Sequence, residues 1–406
     1  MDNLTLEQAL EILLKRVEKI EEKEELPLWD AVGRVLAEDA VAKKDQPPFS
    51  RSPLDGYAVR SENITEASEE TPVFLKVIGE VTAGHVFWGN VEKKTAVRIM
   101  TGAPIPEGAD CVIRQEDTDY GEDEVAILKP VKAFQNYCMQ GEDYKAGARL
   151  LDRGTRLGAV EIGVLASLGY ARVGVYRRPK VALLTTGDEI VLPKEGQQEI
   201  ALPEGKIYDS NLYTLGARLR MWDMEVPVRE QVGDDAVQMA ERIRRVAQQA
   251  DLIITTGGVS VGKKDIMHEV IKLLPAERLF WRIAVKPGMP TLCAMYREKP
   301  LICLSGNPFG ATVNLELLVK PLLQKQTGRK DLKLQRKKAV LESSYLKPSP
   351  VTRYVRARYE QGHVTLTSGS NDSGILSSMT GCNCLLEIPA GTDKIEKGEI
   401  VWIVML

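Results

Sequence analysis

The chain has 406 residues, 44% hydrophobic and 27% charged, with 54 basic against 57 acidic residues and a net charge of −3. That length suits roughly two to four domains. The balanced charge excludes a general nucleic-acid or membrane surface, so an anionic substrate has to be met by local cations. The six cysteines (111, 138, 293, 303, 382 and 384) form no CxxC pair and no disulfide framework, which fits a reduced cytoplasm. The opening residues do not read as a signal peptide, and no apolar run reaches membrane-spanning length. The three histidines (85, 268 and 363) are scattered and read as incidental.

Thr5-x-x-Gln8 is a capping-box pattern, and apolar residues from Leu6 to Ile20 recur at helical spacing, which predicts a helix over 6–22. Glu21–Glu25 reads as a charged exit, and Leu28–Val41 as a packing segment with a short strand near its end. Pro47–Val59 follows, with prolines at 47, 48 and 53 that make it a stiff extended loop. It ends in the turn signal Asp55-Gly56 and a strand from Tyr57, so Asp55 either shapes a surface turn or projects into a cleft.

Residues 71–132 read as a small β domain or barrel, with strands Pro72–Ile78, Thr95–Met100, Cys111–Ile113 and Val125–Leu128. Thr101 stands at a strand end. Gly141-Glu142-Asp143 brings the chain back out, and a helix is predicted over Gly158–Leu168.

From Arg178 the pattern changes to alternating strand and helix, as in a doubly wound α/β domain. Strands are expected at Lys180–Thr185, Met224–Val228, Leu252–Thr256 and Pro300–Leu304, with helices after Asp209-Ser-Asn211, Gly233-Asp-Asp235, Asp265 and Asn307-Pro308. Arg329–Lys338 reads as a solvated basic linker, and residues 339–406 as a last small β domain of five strands.

The central stretch is Asp251–Asp265, DLIITTGGVSVGKKD. Its unbroken β-branched run suits a strand buried on both faces. Gly257-Gly258 then allows positive φ and close ligand approach. A glycine turn before a helix start leaves backbone N–H groups free for an anion. Ser260, Lys263 and Lys264 lie in this loop, and Asp265 is a hard oxygen ligand. Four strand-end loops are polar and glycine-rich: Thr186-Gly187-Asp188-Glu189, Thr256–Asp265, Lys286–Pro290 and Ser305-Gly306-Asn307-Pro308. Glu189, Asp234 and Asp265 are the candidate Mg²⁺ ligands, although Asp234 has a simpler reading as a helix cap. Lys263, Lys264 and Lys286 are candidate phosphate contacts. No Ser/His/Asp set or Cys/His pair is apparent, so the pattern favours phosphate chemistry by positioning and electrostatics over nucleophilic catalysis.

PLDGYAV, MTGAPIP, GED, TTGDE, DSN, TTGGVSVGKKD, VKPG and SGNP, in this order, resemble the molybdopterin molybdenumtransferases, which include bacterial MoeA proteins and the E domain of gephyrin. The resemblance covers nearly the whole chain. It implies a multidomain α/β plus β fold with a doubly wound molybdopterin-binding α/β domain and smaller β domains. The implied division is 1–26 with 174–327, 27–46 with 148–173, 47–147, and 328–406. It further implies a cytoplasmic homodimer that uses Mg²⁺ to insert molybdate into adenylylated molybdopterin, releasing AMP and molybdenum cofactor. By motif, Asp55, Thr101 and Asp143 fall in an interdomain cleft, and Glu189, Asp234 and Asp265 form the acidic set. Ser260, Lys286 and Pro287 stand near the oxyanion, while Arg356 and Ser373 come from the last domain. Asp55, Asp143, Asp265 and Lys286 are the expected catalytic residues. Thr101, Thr186, Gly187, Gly257, Gly258, Ser260, Pro287, Asn307, Pro308, Arg356 and Ser373 are expected to bind substrate. Met289, Ser305 and Gly310 depart from the family's usual lysine, proline and serine, which keeps tungstate open as an alternative oxyanion. Two other functions remain: an adenylyltransferase acting one step earlier on molybdopterin, and a non-enzymatic scaffold.

Overall fold

A computed structural model describes residues 2–193, 202–260, 265–367 and 374–406. Its centre is a seven-stranded sheet in the order Asp2–Leu4, Glu277–Ile283, Leu292–Tyr296, Lys299–Leu304, Leu252–Thr256, Lys180–Thr186, Glu225–Val232. The last four run parallel. Alternate residues of each strand feed two different cores. Val181, Leu183, Leu252 and Ile254 pack with helices Leu6–Lys15 and Asn211–Met221, while Ala182, Leu184 and Ile253 pack with Ala236–Val246 and Met267–Leu273. Burial on both faces is why these strands are continuous apolar runs rather than alternating ones.

The sheet is mixed rather than wholly parallel. Leu292–Tyr296 is an added strand, antiparallel to both Glu277–Ile283 and Lys299–Leu304. Thr5 and Gln8 form the predicted capping box, but the helix stops at Lys15 rather than 22. Beyond it the Ile20 N–H donates to the Gln326 carbonyl, so tertiary pairing overrides the helical periodicity. Glu21–Glu25 is likewise more than an exit, since Lys23–Pro27 pairs antiparallel with Arg172–Tyr176, which also holds Val35–Leu36. The helix Ala159–Ser167 packs against this sheet's apolar face.

Residues 56–127 supply an open five-stranded sheet, in the order Cys111–Arg114, Gly56–Val59, Thr95–Ile99, Val73–Val81, Glu124–Ile127. Near the C-terminus, Thr352–Glu360, His363–Leu366, Arg336–Leu341, Ile400–Met405 and Cys384–Ile388 close into a barrel, because the first of these also pairs with the last. Val285–Lys286 joins the barrel as a further strand, so the chain leaving the α/β sheet ties the two together. A helical run from Pro308 to Thr327 connects them again, with a π turn at Leu315–Val319 just ahead of Pro321. A proline inside a helix removes one N–H and crowds the preceding turn, which accounts for the local widening. The expected basic linker is anchored at its start. Arg329 is 5% exposed, donates to the Trp222 carbonyl at 2.6 Å and pairs with Asp331.

Candidate functional site

The carboxyl ends of strands Lys180–Thr186, Leu252–Thr256 and Lys299–Leu304 meet through glycine backbone. Gly257 (φ +94°) and Gly258 (φ +60°) turn the chain at the end of the central strand. A Cβ on Gly257 would lie 2.4 Å from the Thr186 carbonyl oxygen, and one on Gly306 would lie 3.4 Å from the Gly257 Cα. Only glycine at 257 allows the loops to approach this closely. Above them opens a cleft of about 400 Å³. It gathers eight of the residues expected from sequence: Thr186, Gly187, Glu189, Asp234, Gly257, Gly258, Ser260 and Asn307. Asp209, Asn211 and Ser305 also line it, although the Asp209-Ser-Asn211 segment reads in the sequence as a helix start and a resembling motif in which no site residue is singled out.

The carboxylates have distinct surroundings. Asp235, not Asp234, caps the helix Ala236–Val246 by accepting from the Gln238 N–H. Asp234 instead accepts the Thr186 hydroxyl at 2.7 Å and the Asp188 N–H at 3.3 Å, which sets it in the cleft wall. Asp209 accepts the Thr185 hydroxyl and the Leu212 N–H. Burial pushes the Asp265 carboxyl up to about 6, and its Oδ1 has no hydrogen-bond partner among the described residues. His268, expected to be incidental, places its Nε2 4.0 Å from Asp265 Oδ2.

Among the described residues, no three His, Cys, Asp or Glu side chains stand together to hold a metal. Glu189, Asp234 and Asp265 therefore do not form the single acidic cage expected from sequence. Asp234 is engaged by Thr186, and Asp265 follows the glycine turn without lining the cleft. A buried carboxylate oxygen without a donor, beside a cleft edged by Glu189 and Asp234, still fits Mg²⁺. That ion keeps several waters and takes one or two carboxylates together with phosphate oxygens.

Lys286 is exposed and precedes a cis peptide to Pro287. Gly288 (φ +97°) is fastened beneath it, since the buried Asn314 amide donates to the Gly288 carbonyl at 2.7 Å and to Thr291 Oγ at 2.6 Å. A Cβ on Gly310 would stand 3.2 Å from the Gly288 nitrogen and 3.5 Å from the Ser305 Cβ. The sequence departures at 305 and 310 are thus neighbours, and the small residue at 310 lets the Lys286–Met289 loop sit close to the Ser305–Pro308 loop. Arg356, on the barrel, is 1% exposed and lies 3.9 Å over the Phe309 ring, next to Pro308 at the helix start. The structure thereby brings Lys286, Pro287, Asn307, Pro308 and Arg356 to one junction between sheet and barrel. Ser373, Lys263 and Lys264 lie outside the described residues.

Asp55 and Thr101 form a separate pair, with Asp143 on a neighbouring loop. Asp55 Oδ1 accepts both the N–H and the hydroxyl of Thr101, each at 2.7 Å. Those two bonds, the N–H first, hold the carboxyl below its ordinary range. Loop 50–55 is laced to Ala103 and Cys138 by backbone bonds, and Asp143 donates its N–H to the Gln46 carbonyl while its side chain is exposed. None of the three lines the glycine cleft of the same chain.

Residues 4–169 match the MoeA N-terminal region (domain I and II), 182–325 the probable molybdopterin binding domain, and 338–406 the MoeA C-terminal region (domain IV). The chain is 36% identical over 405 residues to a Staphylococcus epidermidis protein named molybdopterin molybdenumtransferase, covering 99% of this chain and 95% of that protein. A Staphylococcus aureus protein of the same name is 36% identical over 381 residues, 93% of this chain and 90% of that one. Among solved structures, a molybdopterin biosynthesis MoeA protein from Pyrococcus horikoshii superposes with a TM-score of 0.87 at 32% identity, covering 100% of this chain and 99% of that one.

Proposed function

The chain belongs to the molybdopterin molybdenumtransferases, the MoeA family, and we propose that it inserts molybdate into adenylylated molybdopterin, releasing AMP and forming molybdenum cofactor. The observation that carries this reading is the glycine-floored cleft walled by Ser305 and Asn307, whose chain runs on to Phe309 and Gly310, against Arg356 and the Lys286–Gly288 loop. A glycine-floored cleft suits a phosphate-bearing ligand. Beyond its Ser305–Asn307 wall stand an exposed cation, Lys286, and a buried one, Arg356, and the exposed ammonium can meet a tetrahedral oxyanion. Mg²⁺, held through Asp265, Glu189 or Asp234 and completed by substrate oxygens, would neutralise the phosphate during transfer. A separate adenylyltransferase function is less favoured, since it would leave the Asp55–Thr101 pair and the barrel's Arg356 without a task.

Asp55 and Asp143 would reach substrate from the small β sheet of a second copy. Trp29, Val32 and Val160 are 88%, 55% and 74% exposed where the turn Leu28–Ala31 packs on the helix Ala159–Ser167, an apolar face suited to a homodimer. The compartment proposed is the cytoplasm, where the six free cysteines stay reduced. Among the described residues no helix is long and apolar enough to cross a membrane. Incubation of the purified protein with adenylylated molybdopterin, Mg²⁺ and molybdate, followed by AMP release, tests the reading. Absence of AMP and of molybdenum cofactor overturns it.

A further inference from the structure

Beside the glycine turn stands a stack of side chains that the motifs do not account for. Arg282 has φ +66°, a left-handed conformation uncommon for a residue with a long side chain. Its N–H donates to the Thr291 carbonyl at 2.9 Å, which keeps the chain in the sheet, while its guanidinium lies 4.4 Å over the Trp281 ring. The local twist therefore places both side chains on one side, where successive strand residues would normally alternate. A held backbone outlier points to something it serves.

What it presents is the Trp281 indole, which touches the start of the segment from Gly257 to Asp265 directly and reaches its end through His268. Its Nε1–H donates to the Val259 carbonyl at 3.3 Å. Its ring meets His268 edge-on, with centroids 4.6 Å apart and planes at 87°. The other edge of His268 faces Asp265, 4.0 Å from Nε2 to Oδ2. Val259 is 2% exposed, and a Cβ on Gly258 would already touch Ile266 at 3.0 Å, so start and end of the segment are packed together here.

We propose that Trp281, seated by Arg282 and acting through His268, is a positioning residue that holds Val259 and Asp265 at the spacing at which Asp265 receives the divalent cation. This rests on the transferase reading above and adds to it a residue that itself touches neither metal nor substrate. A loosened indole would leave the sheet intact but let the carboxylate wander, and catalytic groups displaced by about 1 Å lose large factors in rate.

The experiment is Mn²⁺ binding, followed by loss of the free-ion paramagnetic resonance signal, in the presence of adenylylated molybdopterin and without molybdate. Trp281→Phe keeps the ring contacts and removes the N–H. His268→Gln removes the ring between Trp281 and Asp265 at a partly exposed position. Each should weaken Mn²⁺ about two- to tenfold, the range expected for one neutral hydrogen bond or its equivalent in packing, with the melting temperature and the dissociation constant for adenylylated molybdopterin unchanged. Wild-type Mn²⁺ affinity in both variants overturns the positioning role alone, as does a lowered melting temperature for Trp281→Phe with normal Mn²⁺ binding by His268→Gln. Wild-type protein that neither holds Mn²⁺ nor releases AMP once molybdate is added overturns the parent reading and this one with it.

Discussion

Thr101 gives both its backbone N–H and its hydroxyl to the same carboxylate oxygen of Asp55, each at 2.7 Å. One oxygen is thereby fixed, and Oδ2 remains the group that can act on a ligand. In the Asp55→Asn variant the amide oxygen takes the place of Oδ1 and accepts the same two bonds. The turn is also favourable for asparagine. The variant should therefore match the wild-type melting curve, to within about 0.5 kcal/mol. If Asp55 faces substrate bound on a second copy, AMP release should fall sharply while adenylylated molybdopterin still binds. Normal turnover in this variant would remove Asp55 from the site.

Gly257 and Gly306 face one another but differ in what a methyl group would meet. At 257 the positive φ and the Thr186 carbonyl 2.4 Å away both oppose it. At 306 the nearest atom is 3.4 Å away, and the residue has no left-handed backbone. Gly257→Ala should lose about 1–3 kcal/mol of stability from strain and most of its turnover. Gly306→Ala should lose less than about 1 kcal/mol. Denaturant unfolding of the two variants checks this, and equal losses would show that the close approach at 257 is dispensable.

Much of this was legible in the chain. The run Leu252–Thr256 announces a strand buried on both faces because that environment selects β-branched residues without alternation. The strands of the 56–127 sheet follow their turn signals within a few residues. Leu292–Tyr296 escaped notice because LCAMY has little of the β-branched character that marks a strand, and pairing on both edges supplies what propensity lacks. The Asp234–Asp235 pair shows a different limit, since two adjacent acids at a helix start cannot be told apart until the Gln238 N–H chooses one. The Trp281 stack depends on a left-handed residue at 282, and Arg356 on a barrel folded from distant strands. The stack has no local signal, and Arg356, although named through the family resemblance, shows in the chain nothing of its burial against Phe309.

Lys286 and Gly288 bracket a loop fixed by Asn314, so the exposed Lys286 ammonium is carried on a stiff base. A charge-assisted contact to an oxyanion contributes roughly 1.5–3 kcal/mol. Lys286→Ala should then raise the molybdate concentration needed for half-maximal turnover by about one to two orders of magnitude. The folded state should be unaffected, since no ion pair joins Lys286 to a described residue. The check is a molybdate titration of cofactor formation, with tungstate in parallel, and a shift below about twofold would refute the contact.

If Asp265 takes the divalent cation, its protonation has opposite effects on stability and on catalysis. Its carboxyl is raised by burial to about 6 in the folded chain, against about 3.9 when unfolded. Between those values the folded state keeps a proton that the unfolded state has released. Its contribution to stability is therefore complete below about pH 3.9, declines as pH rises, and is lost once pH passes about 6. Asp265→Asn cannot ionise, so its stability relative to wild type should climb from about pH 4 to about pH 6 and then level off. Function runs the other way. Only the carboxylate meets a divalent cation well, so Mg²⁺ binding near pH 5.5 should release a proton, and turnover should rise through about pH 6 at limiting Mg²⁺. Adding substrate and saturating Mg²⁺ should move that rise to lower pH, because the metal competes with the proton for the same oxygen. Denaturant unfolding of both proteins at pH 4.5, 5.5 and 7 tests the first half, and calorimetry of Mg²⁺ binding in two buffers of different ionisation heat tests the second. Parallel pH profiles for wild type and Asp265→Asn would mean that the buried carboxyl does not titrate in this range. Proton-free Mg²⁺ binding at pH 5.5 would take Asp265 out of the metal site.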